Sequence, residues 1–305
     1  MIKATHLTKK YKETLAVDDI SFEVETSKVT GFLGPNGAGK STTMRLMLGL
    51  DNGGGSTTFD GKPLQEYDRP ARMVGILLEA KAFHPTRSAR NHLRILAAAS
   101  GIEDSRVDEA LAMVGLHDVA HKKPGSFSLG MSQRLGIAAA ILSHPKYLLL
   151  DEPANGLDPE GISWLRHFLR DYAQAGNGVF VSSHLLSEMA LMADNVVVIG
   201  RGKLIVSTSV KELTSRGSHS KVFVRTSKPT QLIAQLIDHK MAYEPHEEGM
   251  YVMTPTTDAV GKLAFEHDIP LLELSGYRAS LEDIFLELTE DEEEFTPRSE
   301  ASNGR

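Results

Sequence analysis

Eight consecutive residues, Gly34-Pro35-Asn36-Gly37-Ala38-Gly39-Lys40-Ser41, carry the densest chemistry in the chain. They fit the phosphate-binding pattern G-x-x-x-x-G-K-[ST] without a gap. The glycines let the backbone curl with its N–H groups inward, where a Cβ would collide with phosphate. A helix starting at the end of the loop adds unpaired N–H groups and a positive dipole end. Lys40 is placed to reach the β- and γ-phosphates as a point charge. The Ser41 hydroxyl is placed to ligate Mg²⁺. Further along, the apolar run from Tyr147 to Leu150 ends in Asp151 and Glu152. Asp151 can bind Mg²⁺ directly or through water. Glu152, one residue on, faces another direction and can polarise a water. The apolar run from Gly178 ends in Ser182 and Ser183, with His184 at its tip.

Two weaker candidates accompany these. Ser128 and Gly130 lie just before the apolar helix expected over Leu135 to Leu142. A helix N-terminus there can hold an anion, although a simple N-cap serine accounts for Ser128 equally well. Tyr11, in a polar turn, can stack on an adenine ring, an interaction of about 1–3 kcal/mol. It can equally be a surface tyrosine.

These groups cooperate only if the elements carrying them end at one edge. Val29–Leu33 reads as a short buried strand and Ser41–Leu48 as a helix closed by Gly49, the setting the phosphate loop requires. Val74–Leu78, Tyr147–Glu152 and Gly178–Ser183 read as further buried strands, and an α/β sheet places its site at their C-terminal tips. Ile2–His6 and the alternating Val17–Val24 give a β-rich start. Asn52–Ser56 is expected to be a flexible loop, followed by a strand at Thr57–Phe59 and a turn at Asp60-Gly61. Helices are expected over Ala89–Ser100, Asp104–Val114 and Gly161–Ala173, and a hairpin over Asn195–Thr208. Beyond a linker expected at Leu213–Ser218 lies a small α+β unit. Its strands are Val222–Thr226, Met250–Thr254 and Leu271–Leu274, and its helices Thr230–His239 and Asp258–His267. A last helix opens on Ser280-Leu281-Glu282-Asp283, which resembles a capping box, and carries the stripe Leu281, Ile284, Phe285, Leu288.

Composition sets the bounds. The net charge of the 305 residues is −7, and the run Glu290–Glu294 carries −5 of it, which leaves a near-neutral body with no electrostatic footprint for nucleic acid. With no cysteine, disulfides and thiolate metal sites are excluded. No apolar run approaches the roughly 18–20 residues of a membrane helix, and no secretory signal is visible. The expectation is a cytoplasmic chain that meets a membrane only through a partner.

The order and spacing of the motifs resemble the ATP-binding subunit of an ABC transporter over residues 1–215. The resemblance rests on Tyr11 as the aromatic loop, Gly34 to Ser41 as Walker A, Glu79 at the Q-loop position and Ser128 to Gln133 as the signature. Leu148 to Glu152 stand as Walker B with its catalytic glutamate, Leu157-Asp158 as the D-loop and His184 as the switch histidine. Within that superfamily the chain is similar to the drug- and antibiotic-resistance ATPases of bacterial exporters. The resemblance implies an α/β P-loop NTPase domain with a helical subdomain and a β-subdomain over 1–215. It adds a small C-terminal α+β domain over 220–289, and an acidic tail over 290–305 reads as disordered. It implies that Tyr11, Gly34 to Ser41, Thr42, Glu79, Ser128, Gly130 and Asp158 contact ATP. Ser41, Glu79 and Asp151 would hold Mg²⁺, and Glu152 and His184 would act on the γ-phosphate. It also implies a second ATPase subunit, whose Ser128 and Gly130 cover the nucleotide, and a separate permease contacted near Glu79 to Arg94. Glu79 stands where the family has glutamine, and Leu129 and Met131 where the commonest signature has glycine and glutamine.

The rival reading is a soluble relative acting on ribosomes or DNA. Translation factors of the superfamily typically carry two cassettes, and chromosome-maintenance relatives a long coiled coil between Walker A and Walker B. This chain has one cassette and no sustained heptad between Lys40 and Asp151. A non-hydrolysing scaffold is disfavoured by the presence of Glu152 and His184.

Overall fold

The buried strands here are nearly continuous apolar runs because both of their faces are covered. The computed structural model describes residues 1–216, 221–254, 256–277 and 281–289. The segment 290–305 with its acidic run, Ser280 of the expected capping box, and Gly217 and Ser218 of the expected linker lie outside the described residues. Contacts group the described residues into one unit of Met1–Val210 with Leu288 and Thr289 and another within 211–287.

Among the described residues the first unit holds two sheets. An antiparallel sheet has the order β2-β1-β4, from β1 (Ile2–Tyr11), β2 (Thr14–Val24) and β4 (Gly54–Phe59). A larger sheet has the order β5-β6-β7-β3-β8-β9. Its parallel strands are β3 (Val29–Leu33), β5 (Val74–Leu77), β6 (Tyr147–Leu150), β7 (Gly178–Ser182) and β8 (Asn195–Gly200). The edge strand β9 (Lys203–Ser209) returns antiparallel to β8 as the expected hairpin. Every residue of β3, β6 and β7 is buried. Phe22 of β2 joins the two sheets by packing on Phe180 and Phe32, with ring centroids 5.3 and 5.8 Å away; Phe32 and Phe180 are 4.9 Å apart.

Helix α1 (Lys40–Met47) follows β3, and α2 (Pro70–Met73) precedes β5. A helical block comprises α3 (Ala89–Ala99), α4 (Ser105–Met113) and α5 (Leu129–Ile141). Helix α6 (Pro159–Gln174) buries Leu165, Leu169 and Ala173 along one face, and α7 (Leu186–Met192) lies between β7 and β8 in sequence. No helix among the described residues is long and apolar enough to cross a membrane.

Several elements differ from expectation. Gly54 to Ser56 belong to β4 and not to a loop, because β1 pairs with them at Thr8↔Gly54 and Thr5↔Ser56. The two backbones approach so closely that a Cβ on Gly55, at φ +81°, would sit 2.3 Å from the His6 carbonyl oxygen. The glycine run is a strand bulge that local composition reads as a loop. Helix α5 begins at Leu129, six residues earlier than the apolar run, since Ser128 caps it; Gly130 is therefore inside its first turn. Tyr11 ends β1 by pairing with Thr14. Leu213 to Arg216 are not linker but the end of α8 (Val210–Arg216). Helix α7 had no sequence signal beyond its short length, and it starts without a side-chain cap.

In the second unit, β10 (Lys221–Thr226), α9 (Pro229–Asp238), β11 (Tyr243–His246), β12 (Gly249–Met253), α10 (Thr257–Glu266) and β13 (Leu271–Tyr277) follow in turn. The sheet order is β11-β12-β10-β13, all antiparallel. Val222, Val224 and Val252 pack on Leu232 and Leu236 of α9 and Val260 and Leu263 of α10. Strand β11 escaped the sequence reading because Glu244, Pro245 and His246 are exposed and show no apolar alternation. Helix α11 (Leu281–Thr289) closes the described chain.

Candidate functional site

Parallel strands bring their C-terminal tips to one edge. Because β3, β7 and β6 are neighbours, the loop after Leu33, His184 after β7, and Asp151 with Glu152 after β6 come out side by side. A cavity of about 260 Å³ opens there, lined by Pro35 to Thr42, Ala16, Asp151 and Glu152. Strand spacing of about 4.8 Å sets this breadth, and side chains close the remaining gap.

The loop's curl depends on Gly39. Its φ is +100°, and an added Cβ would lie 2.4 Å from the Ala16 carbonyl oxygen. The first backbone bond of α1 runs from Thr43 N to Gly39 O at 2.8 Å. The N–H groups of Lys40, Ser41 and Thr42 precede it and have no helical acceptor, an arrangement that suits an anion at the mouth of α1. Lys40 is buried, and its ammonium donates to the carbonyls of Gly34 at 2.6 Å and Pro35 at 3.2 Å. Burial pushes its pKa down, against the pull of Glu152 and Asp151.

The acidic side is equally ordered. Glu152 Oε1 is 3.9 Å from Lys40 Nζ, and Oε2 is 2.7 Å from His184 Nδ1. A carboxylate oxygen can only accept, so Nδ1 carries the ring proton in this bond. Glu152 has φ +47°. Holding a non-glycine residue there costs about 1–3 kcal/mol and requires surrounding bonds to impose it. Ser182 Oγ accepts the Glu152 N–H at 2.8 Å and donates its own proton to Asp151 Oδ1. Gln133 Nε2 donates to the Glu152 carbonyl at 3.2 Å.

Oxygen donors at this mouth, the Ser41 hydroxyl and the Asp151 carboxylate, suit a hard divalent cation. Among the described residues no group of three or more His, Cys, Asp or Glu side chains could hold a metal alone. A cation here must complete its shell with phosphate oxygens and water, as Mg²⁺ does.

The other sequence candidates fall into three places. Tyr11 lies beside the loop, next to Thr42, and its hydroxyl donates to Asp51 at 2.7 Å; the ring is 45% exposed, with Lys9 Nζ 4.7 Å from its centroid. The Asp51 carboxylate that accepts its proton holds the phenol pKa above its usual value. Glu79 follows β5 at the same sheet edge but lines a different hollow with Arg45, Phe83 and His92. Ser128 caps α5, accepting from Met131 N at 3.1 Å, and its hydroxyl is exposed. Gly130 packs against the Gly156 carbonyl, so the start of α5 sits beside the turn leading to Asp158. Asp158 in turn caps α6 by accepting from Gly161 N at 2.9 Å. Ser128, Gly130 and Asp158 are therefore brought near one another and not into the phosphate-loop cavity. Ser182, Gln133 and Ala16 were not assigned to the site from sequence. Ser182 stands two residues before His184 at a strand tip and Gln133 closes the signature stretch, while Ala16 had no signal.

Residues 17–155 match the family described as ABC transporter, and residues 220–282 match a domain family of unknown function. The bacitracin transport ATP-binding protein BcrA of Bacillus licheniformis is 38% identical over 298 residues, covering 94% of this chain and 97% of that protein. The uncharacterized ABC transporter ATP-binding protein YhcH of Bacillus subtilis (strain 168) is 35% identical over 298 residues, covering 96% and 97%. A solved ATP-binding subunit of an ABC transporter is similar with TM-score 0.64 at 25% identity, covering 71% of this chain and 92% of that one.

Proposed function

The chain belongs to the ABC transporter ATP-binding proteins, and from that membership we propose that it hydrolyses ATP to drive a separate membrane-spanning permease. The phosphates of ATP enter the cavity on the N–H groups of the Gly34–Ser41 loop and Thr42, and Lys40 leaves its two carbonyl partners to meet them. Tyr11 stacks beside the adenine. Ser41 and Asp151 would hold Mg²⁺, which would supply charge neutralisation for the transferring phosphoryl group. Glu79, a carboxylate in the place of glutamine, would be a further oxygen ligand for that cation. Glu152 takes the proton of the attacking water, and His184 orients that carboxylate through its Nδ1–H and contacts the γ-phosphate.

The exposed N-terminus of α5 supports assembly of two ATPase subunits. Ser128 and Gly130 offer unpaired helix N–H groups that find no phosphate in their own chain's cavity, and Asp158 stands next to them. A second copy or a sister subunit supplies that phosphate. The permease holds the assembly on the cytoplasmic side of the membrane. Likeness to the bacitracin protein points to export of a peptide antibiotic as the cargo class.

The observation that carries the reading is the Lys40–Glu152–His184 cluster at the mouth of the phosphate loop, with Asp151 beside it. Glu152→Gln tests it: steady-state phosphate release should fall by about 10²–10⁴-fold, the usual weight of a general base, while ATP still binds. Release at the wild-type rate would remove Glu152 from this role.

A further inference from the structure

The peptide of Glu152 is captured from both sides by side chains that no motif of the chain contains in that role. Its N–H is accepted by Ser182 Oγ at 2.8 Å, and its carbonyl accepts from Gln133 Nε2 at 3.2 Å. The Asn155 N–H also donates to that carbonyl at 3.2 Å. Ser182 is fully buried and Gln133 is 4% exposed, so water competes little for either bond. A serine hydroxyl has one proton, and here it goes to Asp151 Oδ1. That leaves the Ser182 oxygen lone pairs to the Glu152 N–H. One side chain thus ties the Asp151 carboxylate to the backbone of the base beside it.

Between these anchors Glu152 holds φ +47°, a left-handed conformation uncommon and costly for a residue with a side chain. In an ordinary extended conformation, its carboxylate would leave the direction of His184 Nδ1 and Lys40 Nζ. Gln133 shows the same constraint from its own side. Its Oε1 is buried without a hydrogen-bond partner while its Nε2 serves Glu152. An orphaned buried amide oxygen is costly, and the bond retained at its expense is the one to the base.

We infer that Ser182 and Gln133 are positioning residues for hydrolysis, together locking the Glu152 peptide in its left-handed form so that the carboxylate meets water beside His184. Gln133 sits on α5, the helix that Ser128 caps. One hydrogen bond therefore links the helix proposed to meet a neighbouring subunit's phosphate to the backbone of this subunit's own base. The inference rests on the role proposed for Glu152.

Ser182→Ala, Ser182→Thr and Gln133→Met test it in the full chain, with Glu152→Gln as reference. Methionine keeps the length of Gln133, loses the donor and removes the orphaned oxygen. The expected result for Ser182→Ala and Gln133→Met is a 10- to 100-fold fall in kcat with KM for ATP within threefold of wild type; Gln133→Met, which also removes the orphaned oxygen, should keep its melting temperature. Ser182→Thr, which keeps the hydroxyl, should recover kcat to within threefold. A merely structural role would lower the melting temperature and leave kcat of the folded fraction intact. If Ser182→Ala does not fold, Gln133→Met decides. Wild-type kcat in Gln133→Met beside an inactive Glu152→Gln overturns the inference and spares the base. Wild-type kcat in Glu152→Gln itself overturns the proposed hydrolytic role.

Discussion

Lys40 is not idle before ATP arrives, and this bounds what its removal does. Its ammonium already donates to the Gly34 and Pro35 carbonyls at 2.6 and 3.2 Å, from a position 8% exposed. Binding ATP exchanges bonds to neutral carbonyls for bonds to charged phosphate, which are roughly twice as strong. The net gain is about the worth of a charged hydrogen bond, about 1.5–3 kcal/mol. Lys40→Met should therefore weaken ATP binding by about 10- to 150-fold and not abolish it. The ligand-free protein should keep its stability within about 1 kcal/mol, because a desolvated ammonium leaves together with its bonds. Titration with a fluorescent ATP analogue gives the affinity, and thermal or urea unfolding gives the rest. At an ATP concentration 100 times the wild-type Kd, wild type gains about 2.7 kcal/mol, and the variant should gain only about 0.3–1.4 kcal/mol. An unchanged Kd would refute the exchange, and so would a ligand-free variant that fails to fold.

Phe180→Ala should cost about 3–5 kcal/mol in urea unfolding, since the ring is fully buried between Phe22 and Phe32 where the two sheets meet; a loss under about 1 kcal/mol would contradict that packing. Burial opposes ionisation of Asp60, but hydrogen bonds from Lys146, the N-terminal ammonium and Tyr147 outweigh it and hold the carboxyl well below the usual carboxylate range. A folded pKa below the unfolded one stabilises the fold above the unfolded value and loses that contribution as pH falls. Asp60→Asn should cost about 1–3 kcal/mol at pH 7. The gap from wild type should narrow below about pH 4 in urea titrations, the unfolded carboxyl titrating near there; a constant gap down to pH 3 would refute the assignment.

The chemistry of Gly34–Ser41 and the burial of β3, β6 and β7 were legible in the sequence, because a phosphate loop and a doubly covered strand are set by residues adjacent in the chain. The same holds for Asp151 and Glu152 at the tip of an apolar run. The strand order β6-β7-β3, which sets His184 against Glu152, was not legible, since pairing between strands leaves little mark on either one. Nor was the strand through Gly54 and Gly55, where the close approach of β1 overrides local composition. The left-handed turn at Glu152 belongs wholly to the tertiary structure. Its anchors come from 30 residues away on β7 and 19 residues away on α5. A local pattern can name the base; groups converging from distant elements hold its backbone in a form that costs a side-chain-bearing residue about 1–3 kcal/mol.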